Sequence, residues 1–485
     1  MMIKKTNLWR SVDWFTIILF VVMILAGWIS IYCASYDIDT PKLFDLSGRP
    51  GQQLIWIGMS AILIFMIMML DKNFFETFAY LIYGFLLLLL ALTIFIAPEI
   101  KGSHSWVVIT PFIRFQPAEF AKFATLLALA KFMNSYEFYL LKAKHFLISV
   151  CIVLLPMLLI ILQRETGTAL IFLSLALIFY REGMSGQVLL ISLCAVLFFV
   201  IKLKYDNQLW HDTPVGELIV ACIVLIILFV VLRFVLKKNV LSSIFLGIVA
   251  IIGLFAFIAS SFLTINIIWI AIALIIGFSI YFVMCSVRTI ERGYALLALF
   301  AVLSIGYLFS VDYVFDHVLE PHQQQRIKVS LGLVDDPSGA GYNVNQSIIA
   351  IGSGGFSGKG FLNGTQTKLK YVPEHATDFI FCTISEEFGF WGSSLLILLF
   401  CILLLRLIVL AERQDSTFGR VYGYGVVSFF LFHLLVNIGM VTGLTPVIGI
   451  PLPFFSYGGS SLLGFTILLF IFLRIDSGRK EDHFN

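Results

Sequence analysis

Apolar residues in this chain come in runs of about twenty, the length that carries an α-helix across a hydrocarbon core of roughly 30 Å, and the polar residues collect between the runs. The pattern predicts spans near 14–34, 52–70, 75–97, 118–133, 146–162, 167–181, 186–203, 216–236, 240–261, 264–286, 293–312, 384–408, 421–441 and 457–474. Fourteen spans place both termini on one side. Nineteen Lys and Arg residues fall in segments that are inner if the N-terminus is cytoplasmic, twelve fall in outer segments, five of those twelve in one long loop, and Lys122 lies within a span. The positive-inside rule therefore predicts cytoplasmic N and C termini. The first run, Trp14 to Ala34, is too long for a signal-peptide core and reads as a retained span.

Composition supports the same class. With 60% hydrophobic and 13% charged residues and a mean hydropathy of +0.99, the chain is excluded from the soluble globular proteins. A net charge of +3 adds little. The seven cysteines stand singly in apolar stretches with no paired spacing, which predicts neither a disulfide framework nor a zinc site. The histidines show no HExxH-like spacing, so no transition-metal site is expected.

Segments 98–117 and 313–383 are far more polar than turns between spans require, whereas 186–286 reads as four bland, lipid-facing helices with ionisable groups only at their ends. Within the long loop, Ser353 to Gly364 is glycine-dense and predicts irregular backbone. It is not a nucleotide loop: around Gly358-Lys359 the positions that need glycine and Ser or Thr hold Ser353 and Gly360. Its amides, with Lys359 and Arg326, could hold an anion such as a lipid pyrophosphate, or the run could be a flexible linker. Pro373 followed by Glu374 reads as the first turn of a helix, which would set Glu374, Asp378 and Glu386 on one face. Asp378, followed by Phe379-Ile380-Phe381, is the sharpest candidate for a general base, the alternative being a first-turn acid favoured by the helix dipole. Glu386 and Glu387 are candidate supporting acids.

On the fourth span Glu119 and Lys122 lie three apart, neighbours on one helix face; they either line a polar cavity or neutralise each other. Gln163 to Thr168 reads as a polar turn. Asn437-Ile438-Gly439-Met440 and the proline-rich run to Ser461 predict a tightly packed or re-entrant connection between the last two spans.

The runs Arg114-Phe115-Gln116-Pro117-Ala118-Glu119-Phe120-Ala121-Lys122, GAGYNVNQSIIAIGSGGFSGKG, VPEHATDFIFCTISEEFG and NIGMVTGLTPVIGIPLPFFSYGGSS stand in this order. In these motifs the chain resembles the SEDS family of bacterial cell-shape and division proteins, and is closer to the elongation member than to the division member. It departs from the family at Ser105, where relatives often have Arg before the tryptophan, and at Ala376, where they have His two residues before the aspartate. The resemblance covers about 10–181 and 290–476.

It implies an all-α polytopic membrane protein, a SEDS-type helical bundle of about 14 transmembrane helices: a ten-span core whose halves are 1–181 and 290–476, four extra spans at 186–286, one large extracytoplasmic loop at 313–383 and a cytoplasmic tail at 477–485. It further implies a peptidoglycan glycosyltransferase of the bacterial inner membrane that polymerises lipid II into β-1,4-linked glycan strands during cell elongation, releasing undecaprenyl pyrophosphate. Asp378 is then the expected catalytic residue, and Glu119, Lys122, Arg326, Lys359, Glu374, Glu386 and Glu387 are substrate-binding candidates. The expected partners are a class B penicillin-binding protein and other elongation-complex membrane proteins, with no nucleic acid. A divalent cation, Mg2+ or Mn2+, is the expected cofactor, and no organic one. Residue spacing alone leaves open a lipid II flippase, since a charged pair within the membrane also suits a carrier, and a scaffold that activates a transpeptidase.

Overall fold

The structure, a computed structural model, describes residues 11–36, 48–100, 102–108, 114–205, 208–210, 213–260, 262, 266–319, 321–334, 340–369 and 371–482. Parts of the expected loop (320, 335–339 and 370) and the last three residues of the expected tail lie outside these. The described chain divides into two compact units, one formed by 1–184 and 342–485 and the other by 185–341.

The first unit begins with α1 (Trp14–Ser35), α2 (Arg49–Met69) and α3 (Lys72–Ile96), followed by the short hairpin β1 (Val107–Val108) and β2 (Arg114–Phe115). Then come α4 (Pro117–Met133), α5 (Ala143–Leu162), and α6 (Thr166–Ile171), which passes through a 3-10 turn into α7 (Ala176–Arg181). The second unit contains α8 (Gly186–Tyr205), the hairpin β3 (Leu209–Trp210) and β4 (Thr213–Pro214), α9 (Val215–Val230), α10 (Asn239–Ser260), α11 (Ile267–Thr289), α12 (Arg292–His317) and α13 (Pro321–Ser330). The chain then returns to the first unit with α14 (Ala340–Gly354), α15 (Thr365–Lys368), α16 (Ile380–Glu412), α17 (Thr417–Val441) and α18 (Gly459–Asp482).

Twelve of the described helices are long and apolar enough to span a membrane, against fourteen expected. The expected spans at 118–133 and 167–181 are α4, 17 residues long, and the broken α6–α7 segment. Both differ from lipid-facing helices because protein surrounds them. Nearly every side chain of α4 is buried, whichever way it points, between α3, α5, α17 and α18. A helix enclosed in this way needs neither full bilayer length nor a polar face.

The expected loop 313–383 is largely helical. α12 runs on to His317, α13 and α14 follow, and α16 starts at Ile380. The second unit also extends beyond the expected insertion 186–286, because α12 packs along α11 and α8. Nor are its helices bland. They bury an apolar core of their own, including Phe198, Leu228, Phe282 and Ala301, and Lys202 on α8 is buried at 1% exposure against Asp312 (2.6 Å) and Glu217 (3.5 Å).

Candidate functional site

The connection between α17 and α18, residues 442–458, threads through the first unit without regular structure, and its polar backbone must find partners inside protein. Neighbouring elements supply them. Asn437 Nδ2 on α17 donates to the carbonyls of Ile450 (2.7 Å) and Asp378 (2.9 Å). Ser456 Oγ donates to the Thr377 carbonyl (2.6 Å), and the Tyr457 amide to that of Ala376 (2.9 Å). Gly27 of α1 and Gly167 of α6 carry no side chain where this connection passes: a Cβ there would sit 2.2 Å from the Phe454 carbonyl oxygen or 2.7 Å from that of Ile448.

Asp378 sits where these strands of chain meet. The segment from Pro373 to Phe379 is a series of turns, not the expected helical turn, because Glu374 has a left-handed φ of +52° and α16 begins only at Ile380. Glu374, Asp378 and Glu386 therefore do not share a helix face. Asp378 is half-buried, its backbone held by Asn437. A Cβ on Gly449, whose φ is +79°, would lie 3.4 Å from Asp378 Oδ2. Glu374 accepts from Thr377 Oγ1 at 3.1 Å, which stiffens the same turn. His375 Nδ1 and Nε2 lie 2.7 and 2.8 Å from the carbonyl oxygens of Val372 and Ala34, tying the turn to the end of α1.

One helical turn back along α17 from Asn437, a rise of about 6 Å, is His433. Its Nδ1 faces the Pro451 carbonyl at 2.9 Å, which leaves Nε2 to accept from Lys122 Nζ at 3.2 Å. Lys122 also pairs with Glu119 at 2.8 Å and lies over the Phe465 ring at 4.7 Å. Both charged residues are sealed, at 0% and 2% exposure, so in this structure the pair touches no open cavity and acts by holding α4 to α17 and α18. Gly464 lets α18 approach Glu119, whose Cβ would lie 3.4 Å from a Cβ placed there. Gln116 donates to Glu165, which also accepts from Thr168 Oγ1 at 3.0 Å; burial pushes the Glu165 carboxyl up. Gln163 is buried and donates to the Leu90 carbonyl at 2.8 Å and to Thr93 Oγ1 at 2.6 Å. The segment 163–168 is thus a turn anchored in the interior at Gln163 and Thr168, with Arg164 exposed at its outer edge.

The glycine-rich run has a structural task. α16 breaks at Gly389 (φ +64°), and the run fills the break: the Lys359 and Gly360 amides donate to the carbonyls of Glu386 and Glu387 at 3.0 Å each, and the Phe390 amide to that of Gly355 at 2.9 Å. The Gly358 amide is bonded to the Gly354 carbonyl at 2.9 Å. These amides are not an open anion nest, one of the two readings the sequence left open. Lys359 is likewise engaged, with Glu386 at 2.6 Å and Thr365 Oγ1 at 2.7 Å. The Glu386 carboxylate also accepts the amides of Thr365, Gln366 and Thr367 at 2.8–3.0 Å, capping α15. Glu387 is buried with no hydrogen-bond partner for either oxygen among the described residues; the Cys33 thiol faces it.

Asp378 lies against the 442–458 connection and Lys122 is linked to it through His433, while Glu374 is bonded to Thr377 and Glu119 to Lys122; Lys359, Glu386 and Glu387 gather at the broken helix. Arg326 is exposed on α13 in the other unit. His433 was not singled out from sequence; its signal was a second polar residue four before Asn437 in an otherwise apolar span. No cluster of three or more His, Cys, Asp or Glu side chains suited to a metal occurs among the described residues. Among the described residues, Asp378 together with substrate phosphates would be one way to hold a cation, a mode open to Mg2+.

The family profile described as "Cell cycle protein" (FtsW, RodA, SpoVE) matches residues 13–213 and 207–481. The peptidoglycan glycosyltransferase RodA of Treponema pallidum (strain Nichols) is 31% identical over 412 residues, 85% of this chain and 86% of that protein. Stage V sporulation protein E of Bacillus subtilis (strain 168) is 27% identical over 462 residues, 95% and 94% of the two chains. Among solved structures, a chain of a peptidoglycan synthase complex superposes with a TM-score of 0.59 at 24% identity, covering 97% of this chain and 99% of that one. The rod shape determining protein RodA of Thermus thermophilus gives 0.54 at 20%, covering 97% and 98%. These two likenesses show a shared fold. The chain is a multi-pass membrane protein that belongs to the FtsW, RodA and SpoVE family, the SEDS family, and within it is RodA-like.

Proposed function

We propose that this protein is a peptidoglycan glycosyltransferase that lengthens glycan strands from lipid II during cell elongation, with Asp378 as its general base. The observation that carries the reading is the placement of Asp378. It is a half-buried carboxylate on a non-helical turn, fixed through its backbone by Asn437, with its Oδ2 against Gly449. A carboxylate held at a fixed point on a braced turn can serve as a proton acceptor. In the proposed step Asp378 takes the proton of the acceptor sugar's 4-hydroxyl as that oxygen attacks the anomeric carbon of the lipid-linked donor chain. The bond to undecaprenyl pyrophosphate breaks with inversion, its electrons leave with the diphosphate, and a β-1,4 link forms. A divalent cation, Mg2+ or Mn2+, would balance charge on the departing diphosphate.

Glu119, Lys122 and His433 fix α17 one turn from the Asn437 contact. The site faces the outside of the cytoplasmic membrane with both termini inside, a reading supported by the distribution of Lys and Arg. A class B penicillin-binding protein is the proposed partner, because a structural neighbour belongs to a complex that coordinates polymerization and crosslinking.

Purified full-length protein in detergent, given fluorescent lipid II, is expected to form polymer, and Asp378→Asn to lose it by ~10²–10⁴-fold. A flippase makes no glycan under these conditions, and a scaffold makes none without its partner. Undiminished polymer from Asp378→Asn removes the assignment.

A further inference from the structure

The second unit carries a groove that the proposed reaction does not use. It lies between α10 and α11, has a volume of about 500 Å³, and is lined by Leu241, Ile244 and Ile248 on one side and Ala273, Gly277 and Tyr281 on the other. The rings of Phe245 and Phe278, 4.2 Å apart, close its floor. The volume is within the range of ligand sites, roughly 300–1,000 Å³, and α10 is the least buried of the twelve long helices. Flat apolar faces are ordinary on membrane helices; a concave channel bounded by two of them is not.

Both walls lead to cations at the same end. On α11 the lining positions 270, 274, 277 and 281 continue, seven residues on, to the exposed Arg288, which acts electrostatically on Tyr281. On the α10 side, exposed Lys237 precedes Leu241 by four residues. Arg233, Lys237, Lys238, Arg288 and Arg292 all belong to the chain ends gathered there, against one acid, Glu291, which Lys238 already holds at 2.8 Å. Neither Lys237 nor Arg288 has an ion pair among the described residues. The groove is thus apolar along its length and positive at one mouth.

We propose that this groove binds one acyl chain of an anionic phospholipid, with the lipid phosphate against Arg288 and Lys237. Juxtamembrane Lys and Arg attract anionic headgroups strongly enough to distinguish them from zwitterionic ones, and the apolar channel supplies the chain contact that a surface patch lacks. The site is independent of the glycosyl-transfer reading, since it uses no residue of the first unit.

The test is native mass spectrometry of the full-length protein in detergent with dioleoyl phosphatidylglycerol or dioleoyl phosphatidylcholine. Wild type is expected to retain the phosphatidylglycerol about tenfold better. Arg288→Gln combined with Lys237→Gln should cut that preference severalfold, because the acyl chains are identical and the two cations placed against the phosphate are gone. Gly277→Phe should expel both, and no atom lies within 4 Å of a Cβ at that position to oppose the substitution; Gly277→Leu serves if the larger ring impairs folding. Equal retention of the two lipids by wild type, or an unchanged preference in the double variant, overturns the headgroup assignment. Full binding by both Gly277 variants overturns the groove. A photocrosslinker at Ile248 that captures a polypeptide in place of lipid makes the occupant a partner helix and overturns the proposal as well.

Discussion

Among the described residues each compact unit has one lysine at 1% exposure or less, and the two sites are built differently. Lys122 is at 0% exposure with an equally buried Glu119, and its third neighbour, His433, is bonded to the same 442–458 connection that holds Asp378. Lys202 is at 1%, but its closest acid, Asp312, is 53% exposed on its side chain, and its other short contact is the Leu308 carbonyl at 2.6 Å. The first lysine is closed in on all sides and joined to a polar network. The second joins α8 to α12 at a helix end where water reaches its partner. Burial of a charge is therefore weak evidence of function; what the charge is connected to separates the two.

Perturbing the connected site should have the larger consequences. Asp378→Asn is expected to reduce polymerisation by ~10²–10⁴-fold with the thermal unfolding midpoint unchanged, measured on the same preparation. Glu119→Gln leaves Lys122 charged and enclosed, which costs about 3–5 kcal/mol by the usual penalty for breaking a buried pair. The double variant with Lys122→Met should recover much of that stability in denaturant titrations. If the double variant is no more stable than the single, the pair is not the closed unit described.

Smaller effects follow from backbone and surface terms. Gly449→Ala forces a side chain into a left-handed conformation at φ +79° and crowds Asp378 Oδ2, so a loss of about 1–3 kcal/mol and a reduced rate are expected together. Lys202→Met should cost less than the Glu119 change, about 1–3 kcal/mol, because Asp312 stays solvated and only Glu217 is left largely buried without its cation, and should leave polymerisation intact. A Lys202→Met protein that is stable yet inactive would erase the distinction between the two sites.

Much of the fold was legible in the sequence because hydrophobic runs report local solvent preference. Eleven of the expected spans reappear with ends shifted by only a few residues, as at 14–34 against Trp14–Ser35, 118–133 against Pro117–Met133 and 421–441 against Thr417–Val441. What was not legible has physical causes. A helix enclosed by protein, such as α4, has the same apolar composition as one enclosed by lipid, so its limits were legible and its enclosure was not. The stretch 313–317 carries Tyr313, Asp316 and His317 and looks like loop, yet it continues α12. At the candidate site the sequence isolated Asp378 and the pair Glu119 and Lys122, since ionisable residues in apolar surroundings are rare enough to stand out. It misassigned the glycine-rich run, because glycine density announces unusual backbone without saying whether that backbone faces a ligand or fills a broken helix.

The sequence by itself determined the class of molecule, the approximate limits of most apolar segments and the family motifs, all of which depend on residues near one another in the chain. The tertiary structure decided which charges are connected. Lys122 and His433 are 311 residues apart, and Lys359 meets Glu386 across 27. Only packing decides whether such a charge is sealed, anchored or left open, because the desolvation of an ionisable group depends on every element that surrounds it and not on its own neighbours in sequence.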